Sequence, residues 1–190
     1  KTKLSQANII YPTNYPDAWN QNLEVALAPQ TTPEATALTQ SQADTMLQTA
    51  VLEVSPTVSS AEQQKLADVK VEVVDLEGST LGRVVGDTIY IDVNAAGYGW
   101  FVDTTPLDHS EYTYDSQLSL IALPGSEAAG LIDLWTVIRH ELGHLLGAEH
   151  TDEGLMAETL DPGVRKLTES YAETDQFFGS LEDETELLSF

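Results

Sequence analysis

Three of the four histidines in the chain, His140, His144 and His150, stand close together in the stretch RHELGHLLGAEHTDEGLMAE. His140 and His144 are four positions apart. On a helix that spacing stacks two imidazoles on one face, a turn apart, where both can reach one metal ion. Glu141 projects about 100° away from His140 around the same helix. It can reach a water held by the metal without being a ligand itself. A continuing helix cannot bring His150 to the same ion. Gly147 stands midway between His144 and His150, and glycine tolerates the positive φ of the sharp turn that would end the helix and return His150 as third ligand. Three neutral histidines leave one position of a tetrahedral zinc ion open, which is the pattern of catalytic sites.

These residues need elements to position them. SEAAGLIDLWTVIRHELGHLLG reads as one long helix, from an N-cap at Ser126 to a stop at Gly147. Leu131, Leu134, Trp135, Ile138, Leu142 and Leu145 form one apolar stripe, with His140 and His144 nearly opposite. The spacing predicts one face for the core and another for chemistry. Upstream, Thr39 with Gln42 makes a capping box, and Ala43, Met46, Leu47, Ala50, Val51 and Val54 follow at helical spacing until Pro56. Three β-rich runs come next, 69–76, 79–86 and 87–93, punctuated by Gly78 and Gly86. Residues 97–103 continue the sheet edge or leave it. Residues 104–125 read as a long polar loop, and 167–178 as a last helix capped by Thr168. The stretch 180–190 is an acidic tail. Residues 1–37 are rich in Pro, Thr and Asn and read as an irregular arm, a linker or the remnant of a pro-segment. Packed across the cleft, such a segment would make the chain latent, or able to cut itself.

The bulk composition narrows the partners. Eight Lys and Arg face 31 Asp and Glu, for a net charge of −23 in 190 residues. Such a surface repels nucleic acid and anionic lipid and supplies oxygen ligands for hard cations. Asp92, Asn94, Asp103, Asp108 and Glu111 lie close in sequence and are candidates for calcium, with a solvated acidic loop as the alternative. No run approaches the roughly 18 apolar residues of a membrane span. The absence of cysteine excludes disulfides, thiolate ligands and inhibition by a cysteine of this chain. The first residues lack the apolar core of a signal peptide and position 1 is Lys, so the chain reads as a mature form or an excised piece.

Residues 140–150 fit H-E-x-x-H-x-x-G-x-x-H, and the segment resembles the zinc signature of the metzincin metallopeptidases. Met156, in GLMA, looks like the methionine of the Met-turn that floors the metal in that family. The short gap from His150 to Met156 is most similar to the matrixin branch. Glu158 stands where astacins and serralysins often carry a tyrosine ligand, which argues against such a ligand here. The order of elements over 38–179 is similar to a matrixin catalytic domain. TIYIDVNAAGYGWFVDTTPLD and LMAETLDPGVRKL look like segments of matrixin-like modules in large bacterial secreted or surface proteins.

The resemblance implies an α+β zincin domain: a twisted mixed β-sheet, an N-terminal helix, a metal-binding helix, a Met-turn and a C-terminal helix. It implies a zinc-dependent endopeptidase with Glu141 as general base, located outside the cell or on its surface. It also implies a peptide substrate bound extended along an edge strand, best sought within 87–100. Matrixins usually hold a second, structural zinc with histidines. Only His109 is left for that purpose, so that site is not expected. The competing reading is a non-catalytic or self-processing module of a larger surface protein, stabilised by zinc and calcium. A monomer is the default state.

Overall fold

Thr39 opens the first helix as its spacing predicts. Its hydroxyl accepts the Gln42 N–H while the Gln42 side chain accepts the Thr39 N–H at 3.0 Å, so two end groups of the helix are satisfied reciprocally. This helix, α1 (Gln40–Val54), buries Ala43, Met46, Leu47 and Ala50. A 3₁₀ turn over Ser55–Thr57 begins the break at Pro56, and a second capping box, Ser59 with Glu62, starts α2 (Ser60–Asp68). The computed structural model describes residues 22–28, 35–116 and 118–168.

The β-rich runs become β2 (Lys70–Val74), β3 (Thr80–Val85) and β4 (Thr88–Asp92). A fourth strand comes from an unexpected place. Residues 22–25, inside the stretch read as an irregular arm, form β1 (Asn22–Val25). A fifth, β9 (Thr159–Leu160), follows the metal-site turn. Together they make a mixed sheet of order β2-β4-β3-β1-β9. β2 runs parallel to β4, β3 antiparallel to both β4 and β1, and β1 parallel to β9. The fold is therefore α+β. The segment 87–100 is not an edge: β4 is paired on both sides, and the residues after it turn away through Asn94–Gly99.

Three further differences concern the chain between the sheet and the metal helix. The supposed loop 104–125 contains a hairpin, β6 (Tyr112–Ser116) and β7 (Ser119–Ala122). β10 (Val164–Lys166) completes its small sheet. The long helix does not start at Ser126. Gly130 takes φ +78, and β8 (Ile132–Asp133) pairs in parallel with β5 (Trp100–Phe101). Only then does α3 (Leu134–Leu146) begin, capped by Asp133. The face of α3 expected to be free for chemistry is more enclosed than its spacing implies: every residue from Leu134 to Leu142, His140 included, is buried, and His144 is half-buried. The last helix expected over 167–178 lies outside the described residues apart from Leu167 and Thr168, as does the tail 180–190.

The main core lies where α1 and α3 pack on the sheet. Leu81, Ile89, Ile91, Ile132, Leu134, Val137 and Ile138 are all fully enclosed there. Each such side chain contributes about 1.5–3 kcal/mol relative to exposure. The buried Arg139 guanidinium meets Glu53 at 3.0 Å and ties α3 to α1. A second, smaller cluster of Phe101, Tyr112, Leu120, Ala128 and Leu167 sits under the hairpin. Among the described residues no helix is long and apolar enough to cross a membrane.

Candidate metal centre

The start of α3 is fixed by a buried charge cluster that the sequence pattern did not suggest. The Asp133 carboxylate accepts the Thr136 N–H at 3.1 Å and the Thr136 hydroxyl at 2.7 Å. It also receives Arg165 Nε at 2.9 Å and Nη2 at 2.8 Å. The same guanidinium donates to Asp103 at 2.8 Å and lies 4.6 Å from the centre of the Tyr112 ring. Burial pulls the Arg165 pKa down, but the attraction of Asp133 outweighs it and the net shift is upward. Burial, with Asp133 next, pushes the Tyr112 phenol up. Arg165 thereby holds β10 against the first turn of the helix that carries the histidines. No motif pointed to it; a lone Arg in LDPGVRKL gives no sign of its partners.

Two turns further along, α3 presents His140 and His144, and the chain reverses. Gly147 ends the helix at φ +98, with its N–H directed to the Gly143 and His144 carbonyls. The Ala148 N–H returns to the Gly143 carbonyl at 2.9 Å, and His150 comes back to the pair. The three Nε2 atoms converge. They are separated by 2.9 Å (His140 to His144), 3.1 Å (His144 to His150) and 3.3 Å (His150 to His140). Among the described residues this is the one cluster of His, Asp or Glu that could hold a metal ion.

The opposite ring nitrogens bear on whether the cluster could hold a metal ion. His140 Nδ1 lies 2.8 Å from the Leu155 carbonyl and His144 Nδ1 lies 2.9 Å from the Ala148 carbonyl. A carbonyl oxygen only accepts, so both Nδ1 atoms carry a proton. Burial pulls His140 down to about 3 and lowers His144 as well, so both rings are neutral near pH 7. Their Nε2 atoms then present bare lone pairs to each other at 2.9 Å. That arrangement is repulsive unless a cation lies between them. Backbone carbonyls behind the rings are the orienting contacts of metal-bound histidine. A tetrahedron with metal–nitrogen bonds of about 2.0–2.1 Å has edges of about 3.3–3.4 Å, near the observed separations. The residues fit a small tetrahedral cation.

Around this cluster, the turn after His150 is closed by the Thr151 N–H to the Met156 carbonyl at 2.9 Å. Met156 packs on Gly143, where a Cβ would meet its Sδ at 2.5 Å, so the glycine inside the helix leaves room for the methionine. Glu158 faces His150 Nδ1 at 3.6 Å. Glu141 packs against the sheet. Its Oε1 would be 2.9 Å from a Cβ on Gly82 of β3. The side chain has no exposure, and neither oxygen has a well-formed hydrogen bond. Burial raises its pKa well above the ordinary carboxyl value, and a backbone contact from Leu23 of β1 works the other way. A backbone group that stabilises a carboxylate is an N–H, so the Leu23 N–H approaches Glu141.

The five candidate calcium residues are not brought together. Asp92 accepts the N–H groups of Leu76 at 2.8 Å, Asn94 at 3.1 Å and Ala96 at 2.8 Å. Asn94 accepts the Gly97 N–H, and Asp103 accepts the Thr105 N–H while pairing with Arg165. Asp108 accepts the Ser110 N–H, and Glu111 accepts the Ser110 hydroxyl. Their oxygens organise turns. His109 Nδ1 stands 3.2 Å from the Arg165 guanidinium, away from the three clustered histidines.

Besides the Arg165 cluster, two residues that lie against Glu141 escaped the sequence reading. Gly82 had a signal, because a glycine inside a strand pattern often marks a close approach. Leu23 had none, since NLEV is too short to read as a strand. In comparisons with known proteins, the chain matches no protein-family model, no curated protein and no solved structure.

Proposed function

We propose that the chain is a zinc-dependent endopeptidase of the matrixin-like metzincin type, acting outside the cell, with Glu141 as general base. The observation that carries this reading is the convergence of three Nε2 atoms, two of them on rings fixed from behind, with Glu141 between those two histidines on the same helix. His140, His144 and His150 would hold the ion. When bound, zinc supplies Lewis-acid activation of water and of the scissile carbonyl. Glu141 takes a proton from the attacking water and returns one to the leaving amine. Burial raises its pKa above the ordinary carboxyl value, the direction that makes its carboxylate a stronger base. Met156 and Gly143 pack together beneath the ligands and hold the returning chain in place.

Zinc content and cleavage of a peptide library test the reading, in the wild type and in Glu141→Ala. The variant should keep its zinc and lose about 10²–10⁴-fold in rate. A wild type that takes up no zinc, or a variant of undiminished rate, refutes the assignment. One observation favours the second reading, a non-catalytic or self-processing module: the Leu23 backbone of β1 lies against Glu141, whose side chain has no exposure.

A further inference from the structure

β1 enters the sheet between β3 and β9, and without it β3 would be the outer strand. The slot takes one extended strand and grips it from both sides. The Val25 N–H donates to the Ser79 carbonyl at 2.9 Å. On the other side the Glu24 N–H donates to the Glu158 carbonyl at 3.1 Å, and the Ala26 N–H to the Leu160 carbonyl at 3.1 Å. This is how an extended peptide binds by strand addition, with main-chain bonds for affinity and alternate side chains for specificity. Leu23 and Val25 point inward and are buried, while Glu24 is exposed.

The register puts one particular bond at the chemistry. Leu23 lies opposite Gly82, the residue that packs on Glu141. The Leu23 N–H approaches the Glu141 carboxyl. The next residue, Glu24, is bonded to Glu158, whose side chain faces His150. The Asn22–Leu23 peptide bond therefore lies beside the general base, in a strand tied to the neighbour of the third histidine.

We propose that the slot between β3 and β9 is the peptide-binding groove, that residues 22–25 occupy it in cis, and that Asn22–Leu23 is the bond cut. The inference rests on the endopeptidase reading. In the step, the C–N bond between Asn22 and Leu23 breaks. The oxygen of a water joins the Asn22 carbonyl carbon to give a carboxylate. Glu141 carries a water proton to the Leu23 nitrogen, which leaves as an amine and ends as an ammonium. All atoms of the water are taken up by the two new ends. Other substrates should likewise present an aliphatic residue directly after the cut bond, where Leu23 now sits 1% exposed.

The full-length protein tests this by two routes. Intact mass and N-terminal sequencing after zinc loading should show wild type converting to a chain that starts at Leu23, and Glu141→Ala remaining whole. Amide exchange in zinc-free protein reads the groove without any catalysis. Leu23→Asp should speed exchange over residues 80–83 by about tenfold or more, with Leu23→Ala shifting it less in the same direction. Exchange that stays unchanged in both variants overturns the occupancy. Cleavage of unrelated peptides by Leu23→Asp, with wild type never cut at Asn22–Leu23, overturns the inference and leaves the endopeptidase reading standing. A zinc-loaded Leu23→Asp that cuts nothing overturns both.

Discussion

Gly82→Ala probes the contact on which the site reading depends, that of β3 with Glu141, the proposed general base. A Cβ at Gly82 would stand 2.9 Å from Glu141 Oε1, 3.0 Å from Val137 Cγ1 and 3.1 Å from Glu141 Cγ. Non-bonded carbon atoms prefer about 3.5–4.0 Å. Both neighbours are fully enclosed, so neither can swing aside into solvent. Overpacking of this kind costs about 1–3 kcal/mol. The loss of glycine's freedom in the unfolded chain returns about 0.4–1 kcal/mol. The net loss is on the order of 0.5–2 kcal/mol, a fall of about 1–8 °C in melting temperature for a domain of this size.

The double variant makes the test sharper. Two of the three crowding atoms belong to Glu141 and disappear in Glu141→Ala. Only Val137 Cγ1 then opposes the added methyl. Urea unfolding of the wild type, the two single variants and the double variant should show Gly82→Ala costing less in the Glu141→Ala background. The coupling should be on the order of 1 kcal/mol, above the 0.3–0.5 kcal/mol or so within which distant sites add. Zinc affinity of Gly82→Ala should stay at the wild-type level, because the atoms nearest the added methyl include none from a histidine. Additive stabilities would mean that Glu141 does not lie under β3, and the bond assignment at Asn22–Leu23 would fall with it.

Arg165→Met strands two buried carboxylates, Asp103 and Asp133, and should cost about 3–5 kcal/mol in urea unfolding. A loss below about 1 kcal/mol would show that the cluster does not hold α3. Zinc at about 100 times its dissociation constant should raise stability by about 2.7 kcal/mol in the wild type. His144→Ala should lose most of that gain; an undiminished gain places the ion elsewhere. In zinc-free protein, Glu141→Gln minus wild type should become more positive as pH rises above the ordinary carboxyl value of 4.5. The sign follows from burial: the folded state keeps the Glu141 proton to higher pH than the unfolded chain, so wild-type stability falls through that window. His140, lowered to about 3, acts in the other direction, losing stability as pH falls below about 6.5, but it is common to both proteins and cancels. Thermal melts from pH 4 to 9 check the slope, and a difference that shrinks with rising pH would refute it.

The parts of the site that were legible are those written in local spacing. His140, His144, Gly147 and His150 sit within one helix end and one turn, so their geometry follows from the helical repeat and a single positive φ. The Thr39 capping box is equally local. The start of α3 was not legible, because it is decided from a distance. Ser126 and Asp133 are both acceptable N-caps by type. Asp133 is selected by Arg165, thirty-two positions on, and by the pairing of β8 with β5. The acidic residues misled for a related reason. Composition shows that Asp92 and Asp103 carry charge, but not that one faces the N–H groups of its own turn and the other a guanidinium.

The hardest feature to foresee joins the two ends of the described chain. The role proposed for Glu141 follows from its position between two histidines, and that proposal is readable without a fold. The surroundings of Glu141 include β1, a four-residue strand far upstream in a Pro- and Thr-rich stretch. Four residues with one buried face carry too little pattern to announce a strand, and strand addition draws most of its affinity from main-chain groups that every sequence shares. What distinguishes β1 is its partners. It lies between the strand that packs on Glu141 and the segment that follows the third histidine. On the proposed function, a peptide in that position is a substrate or an inhibitor of its own chain, and the difference rests on whether water can reach the Asn22 carbonyl while Leu23 stays seated.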